Sequence, residues 1–377
     1  MLTVRTLVSW AAALAVVAGL AAPASAQPPK GKGKTTEEAV AAAVAYLKGT
    51  QADDGTWSKT ANVGVTGVVV TGLLKGGKVP ADDPMMAKAL KFIESLADAE
   101  TGSLAAGEQV FQKNYITAVN LTALKASKQA KYDPLVAKAA AYLKNIQTGA
   151  TDGKKEDDQN FGGFGYGPGF RGDMSNTGFA LDALTLVGTP ADDPVFKRAV
   201  VFVSRMQNLK SEFNTMPWAG RVNDGSFFYV APQPGGTKGD PDAPIPGYGS
   251  MTASGIKCYI RAGVGKDDPR LKKATEWLAK NYSVDVNPGR LAGNGGQGYY
   301  YYLLTLAKCL DAVGAPEFVD AAGVKHDWRA EITRALVGRQ KRDGSWANDF
   351  TNWMETDANL CTGYALQTLA VCQAPPK

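Results

Sequence analysis

The sequence predicts an all-α chain built from two alternating kinds of helix, and three observations carry that prediction. Four segments open on one dipeptide, Asp83-Pro84, Asp133-Pro134, Asp193-Pro194 and Asp268-Pro269, each followed eight residues later by an aromatic: Phe92, Tyr142, Phe202 and Trp277. Between them stand segments of a second kind, with aliphatic and small residues around most of the circumference. The step from each second segment to the next Asp-Pro is nearly constant, at 17 or 18 residues. A fixed period of this sort marks an array whose unit is a helix pair.

The first kind has a physical start signal. Aspartate is a good helix N-cap, and proline suits the first helical position, where its missing N–H is no loss. Residues 36–51 and 327–340 fit the same frame without the proline. Helices of the second kind start at Thr66, Thr117, Thr177, Thr252, Tyr299 and Thr362. Four residues on they carry Val70, Leu121, Leu181, Ile256, Leu303 and Leu366, and two further on a small residue in most copies, such as Gly72, Ala123 and Ala183. Positions +4 and +7 make one stripe and +6 lies on another side, so these helices are buried on both sides. They are expected to form an inner layer, with the Asp-Pro set, richer in Lys and Glu, outside. The longest connections, 148–172 and 208–247, both lead into inner-helix N-termini. Insertions in a repeat array gather on one face, often the binding face.

Composition narrows the function classes. The 377 residues carry 41 Lys+Arg against 36 Asp+Glu, a formal charge of +5, with 45% hydrophobic and 20% charged residues. That balance excludes wholesale disorder and is too weak to argue for nucleic acid. A single histidine excludes sites that need two or more imidazoles. At the N-terminus Arg5, an apolar run over 7–22 and Ala24-Ser25-Ala26 read as a signal peptide over residues 1–26, with a flexible linker over 27–35. The mature domain, 36–377, is then expected to be exported, periplasmic or secreted, and no second apolar run could span a membrane.

Two stretches carry a family resemblance. Gln51-Ala52-Asp53-Asp54-Gly55-Thr56-Trp57 and Gln340-Lys341-Arg342-Asp343-Gly344-Ser345-Trp346 resemble the Gln-x3-Gly-x-Trp repeat of squalene and oxidosqualene cyclases. Gly162-Gly163-Phe164-Gly165-Tyr166-Gly167-Pro168-Gly169 is similar to the glycine-rich loops of protein prenyltransferase β-subunits. The resemblance implies an (α/α)6 toroid, six inner helices around a central cavity and six outer helices around them. Helix pairing comes from the residues; closure into a ring comes from the resemblance.

The chemistry of those families is not carried over. Hopene-type cyclases protonate an alkene with the middle Asp of Asp-x-Asp-Asp, and the matching stretch here is Asp173-Met174-Ser175-Asn176. Ser175 stands at the donor position, and a hydroxyl cannot protonate an alkene. The prenyltransferase zinc ligands fall on Ser250, Thr252 and Cys361, which cannot hold zinc, so no metal and no cofactor is expected. The remaining carboxylates near inner-helix starts are Asp173 and Asp357, with Glu355 beside the latter; helix capping is the plainer role for each.

Candidate cavity residues sit at or near the same N-termini: Asn62, Tyr115, Asn176, Tyr248, Ser250, Gln297, Tyr299, Tyr300, Asn359 and Cys361, with Phe170, Trp218, Phe228 and Trp353 in the loops above. This aromatic, neutral-polar set suits an apolar small molecule or isoprenoid. Register puts His326 at an outer-helix start, as a solvent-exposed neighbour of the cap. The four cysteines, Cys258, Cys309, Cys361 and Cys372, are expected to be small buried residues. Two functions follow: a binding toroid holding an apolar ligand or a protein partner, or an enzyme with a non-standard acid, either a terpenoid cyclase-like isomerase using Asp173 or Asp357, or a polysaccharide lyase drawing on Arg171, Arg221 or Arg290.

Overall fold

Twelve α-helices follow one another in the described residues, which are 34–105, 110–232 and 243–375 of a computed structural model. The expected signal peptide and nearly all of the linker lie outside them. The helices are α1 (Thr36–Thr50), α2 (Gly64–Lys75), α3 (Pro84–Ser95), α4 (Lys113–Ala126), α5 (Asp133–Ile146), α6 (Met174–Leu186), α7 (Pro194–Arg205), α8 (Gly249–Arg261), α9 (Pro269–Lys280), α10 (Tyr299–Val313), α11 (Trp328–Arg339) and α12 (Ala358–Cys372). Each even-numbered helix packs on the next even-numbered one, and α12 returns to α2, closing a ring. The odd-numbered helices pack against the outside of that ring.

Burial follows the expected layers. Every residue from Gly249 to Tyr259 of α8 is buried, whereas α3 buries only the stripe Met85, Met86, Ala89, Leu90 and Ile93. Asp83, Asp193 and Asp268 cap their helices by accepting from the backbone N–H two residues on, at 2.8–2.9 Å. Asp133 does not cap: a 3-10 turn, Ala130–Tyr132, precedes it, so Asp133 is already inside α5.

The Gln-x3-Gly-x-Trp signal turns out to be a joint used repeatedly around the ring. Gln51 Nε2 donates to the Gly55 carbonyl (3.0 Å) and to the Met85 carbonyl at the start of α3 (2.9 Å). Gln147 does the same to Gly162 and Val195, Gln207 to Gly225 and Arg270, and Gln340 to Gly344 and Ala39. Each thus ties an outer helix to the first turn of the next, and Gln340 joins the last to the first. The inner-helix threonines finish the joint: Thr66, Thr117, Thr177, Thr252 and Thr362 each accept, at 3.1 Å, the N–H of Trp57, Leu104, Phe164, Phe227 and Trp346 in turn. Trp57 and Trp346 are fully buried, and their indole N–H groups donate to the carbonyls of Leu47 and Leu336 at 2.8 Å.

One repeat departs from the pattern. Tyr299 replaces the threonine, and beyond α10 a short hairpin forms, β1 (Phe318–Val319) pairing antiparallel with β2 (Lys325–His326). It stretches the step from Tyr299 to Asp327 to 28 residues, against 17 or 18 elsewhere. His326 is not the exposed residue expected: its ring stacks on Tyr282 at 4.4 Å and hydrogen-bonds Glu331 (2.9 Å) and Asp320 (3.3 Å). Burial opposes its charge, but the two carboxylates together outweigh burial and raise its pKa. NMR titration of this lone imidazole should give a folded-state pKa above 6.5, and Glu331→Gln should lower it. A value at or below 6.5 in the parent protein would show the pair does not form.

Candidate functional site

The inner helices all enter the ring from the same side, so their first turns line one cavity and their last turns another. The N-terminal cavity, about 850 Å3 including its open mouth, takes Tyr115 from α4, Ser175, Asn176 and Phe179 from α6, Ser250 and Met251 from α8, Tyr301 from α10, and Leu360 and Tyr364 from α12. Loops and helix caps add Asn62, Gln112, Tyr166, Tyr229, Tyr248, Arg290, Trp353 and Met354. Among the described lining residues Arg290 is the one charged side chain.

Aromatic contacts organise this wall. Phe179 meets Tyr115 edge-on at 5.1 Å and Tyr301 at 5.7 Å, while Tyr364 lies 6.3 Å from Tyr301 and places its hydroxyl 3.4 Å from that of Tyr115. These four rings form a waist across the ring of helices. Nearer the mouth, Tyr229 packs tilted against Trp353 at 5.3 Å, and its hydroxyl is 3.2 Å from that of Tyr166. Arg290 Cζ lies over the Tyr248 ring at 3.7 Å, a cation–π contact. Trp353 is 45% exposed and, with Met354, holds a positive φ near 60°. Such a conformation is costly for a bulky residue and clusters at ligand clamps.

Of the residues expected here, Tyr115, Asn176, Tyr248, Ser250, Trp353 and Asn62 line the cavity. Gln297, Tyr299, Tyr300, Asn359 and Cys361 do not. Successive helical residues turn by about 100°, and the tyrosine run shows the consequence. The Tyr299 hydroxyl donates to the Val284 carbonyl (2.6 Å), that of Tyr302 to Ser283 (2.6 Å) and that of Tyr300 to Ala347 (3.5 Å). Only Tyr301 turns inward, where Ser175 Oγ donates to its hydroxyl (3.1 Å). Cys361 follows the lining residue Leu360 by one position and is turned away; its Sγ donates to the Glu355 carbonyl. Gln297 Nε2 donates to Asn294 Oδ1 outside the lining. Trp218 and Phe228 are buried behind the wall, and Phe170 is exposed outside it. All four cysteines are buried and free.

The carboxylates stand behind the wall. Asp173 caps α6, accepting from the Asn176 backbone N–H (2.8 Å) and side-chain amide (2.7 Å), with Tyr229 as a further hydrogen-bond partner. Burial pushes its pKa up to about 6, against the pull of those hydrogen bonds. Asp357 caps α12 through the Leu360 N–H (2.9 Å). Glu355 is fully buried; burial raises its pKa, but N–H groups in the first turn of α10, Tyr301 at 2.8 Å among them, and the Asn348 amide hold it as a cap for a helix it does not belong to. Among the described residues no group of three His, Cys, Asp or Glu side chains is arranged to hold a metal ion, and none of the helices is long and apolar enough to cross a membrane.

Sequence reasoning missed Tyr166, Phe179, Tyr229, Tyr301 and Tyr364. Phe179 and Tyr364 stand two residues after Thr177 and Thr362, so the inner-helix register was a signal that could have found them. Tyr166 and Tyr229 sit in irregular loops, where no period applies.

No family model matches the sequence, and no curated protein matches it. Solved structures match in fold. A variant of the type II terpene cyclase MstE from Scytonema, in complex with geranylgeranyl dihydroxybenzoate, is 14% identical, covers 89% of this chain and 97% of its own, and superposes with a TM-score of 0.54. A protein from Actinoplanes is 16% identical over 90% of this chain and 100% of its own, at 0.51. A glycosidase variant in complex with glucose is 14% identical over 89% and 96%, also at 0.51. At these identities the likeness establishes architecture: the chain is a mostly helical toroid of the kind that type II terpene cyclases and this glycosidase share.

Proposed function

We propose that the chain is an exported binding toroid whose N-terminal cavity holds an apolar, isoprenoid-like small molecule. The fold does not choose the ligand, since one similar structure holds an isoprenoid compound and another holds glucose. The lining supports the choice. Eight aromatic rings (Tyr115, Tyr166, Phe179, Tyr229, Tyr248, Tyr301, Trp353 and Tyr364) with Met251 and Leu360 offer apolar faces, and one cation stands at the wall. A sugar site needs convergent polar groups, whereas here several hydroxyls pair with one another or with their neighbours. Export rests on the N-terminal sequence alone.

Calorimetric titration with farnesol, a neutral isoprenoid alcohol, tests this reading. Tyr301→Ala and Trp353→Ala should each weaken binding about tenfold, the loss of one aromatic contact of about 1–1.5 kcal/mol. Absence of farnesol binding, or binding indifferent to both substitutions, would remove the ligand from this cavity.

A second reading, a cyclase-like isomerase with Asp173 as its acid, is favoured by one observation. Asp173 has a raised pKa and hydrogen-bonds Tyr229, which lines the cavity. It predicts a rearranged product of unchanged mass from a polyprenyl substrate, lost in Asp173→Asn.

A further inference from the structure

We propose that the opposite end of the toroid is an anion-binding vestibule, built to take a phosphate or carboxylate group. It lies beyond the aromatic waist, with Phe179 and Tyr364 lining both chambers, and occupies about 930 Å3 including its opening. None of its charged groups belongs to the site proposed above.

Three helices bring four cations there: Lys75 from α2, Arg261 from α8 and Lys308 from α10 line the chamber, and Lys257 from α8 pairs with its carboxylate. Three of them meet one carboxylate, Asp182 of α6, which is 2.9 Å from Lys257 and Arg261 and 3.2 Å from Lys308. Asp182 is the one acidic residue among the described lining, and Lys75 has no carboxylate within ion-pair distance among the described residues. Four positive groups against one negative leave a formal excess of three. Burial of like charges without partners is costly, and the site shows it. Lys308 is pulled down to about 8, first by burial and then by Lys257, Lys75 and Arg261, with Asp182 alone opposing. Lys75 is lowered for the same first reason.

Helix dipoles answer only part of that excess. Lys75 and Arg261 close the last turns of α2 and α8, where the C-terminal ends favour cations. Lys308 stands more than a turn before the end of α10, where that field has fallen away. The threonines of the vestibule do not supply donors, because Thr71, Thr122 and Thr185 donate to carbonyls one turn back on their own helices. Gln367, the one amide side chain of the described lining, donates through Nε2 to the Val68 carbonyl (2.9 Å), so the charged donors facing the chamber are the cations, which suits an oxyanion.

Calorimetry on the full chain at low ionic strength tests this with two probes, inorganic phosphate and dodecyl phosphate below its micelle concentration. Phosphate is expected to bind at one site per chain and to be weakened at least tenfold by Lys75→Gln and by Lys308→Gln. Lys75→Gln breaks no ion pair, so an unchanged melting temperature certifies its fold. Binding of both probes with that dependence identifies a free anion as sufficient; binding of dodecyl phosphate alone, with the same dependence, identifies the head of an amphiphile. Either supports the vestibule. No binding of either probe, or binding that ignores both substitutions, overturns it. Farnesol titration reports the other chamber independently, so failure of one reading leaves the other standing.

Discussion

Gly162→Ala should unfold the toroid under conditions in which the parent stays folded. Gly162 sits at φ +83°, and a Cβ there would fall 1.8 Å from the Arg198 carbonyl oxygen of α7. The neighbour is backbone, so it cannot swing aside as a side chain would. The left-handed conformation costs an ordinary residue about 1–2 kcal/mol, and overpacking adds about 1–3 kcal/mol. A loss of about 2–5 kcal/mol is a large share of the stability of a typical domain. Gly153 supplies the control, with φ +73° and nothing within 4 Å of its added Cβ. Gly153→Ala should show the conformational cost alone. Urea midpoints of the two variants measure the difference; equal losses would mean that the α5–α7 joint yields to the extra methyl.

The second large effect concerns pH. Asp173 is raised to about 6 from its ordinary 3.8 by burial. A carboxyl with a raised folded pKa contributes stability that is full below 3.8 and is lost as pH rises through about 6. The gap between those two pKa values is worth about 3 kcal/mol. Other carboxylates run the opposite way: Asp182, for one, is held far below its usual range by Arg261, Lys257 and Lys308 despite its burial. The quantity to measure is thus the difference between the parent and Asp173→Asn. That difference should move in favour of the variant by about 3 kcal/mol between about pH 4 and pH 7, read from urea unfolding at each pH. Parallel pH profiles would show that Asp173 ionises as freely folded as unfolded. The substitution also reads on the second functional reading, because a binding toroid should keep its farnesol affinity without this carboxyl.

The joints show how much a short motif can carry. Two complete copies, at Gln51 and Gln340, were legible as a resemblance, while Gln147 and Gln207 stood in register without the tryptophan. The structure makes all four equivalent, since the amide bridges a glycine carbonyl and the next outer helix in each case. Tryptophan is dispensable there because the joint is made by backbone carbonyls and the threonine hydroxyl. Phe164 and Phe227 fill the same place, fully or almost fully buried.

The sequence by itself determined the helices and their layers. Caps, proline positions and the spacing of aliphatic and small residues act within one or two turns, so they can be read along the chain. Which side chains meet was decided only by the tertiary structure. Tyr299 and Tyr301 are equally aromatic and differ by two steps of helical phase, yet one braces a loop and the other faces the cavity. Lys75, Asp182, Lys257 and Lys308 are far apart in sequence and form one cluster because α2, α6, α8 and α10 close a ring. Closure is a property of long-range packing, and no local period encodes the chambers it encloses.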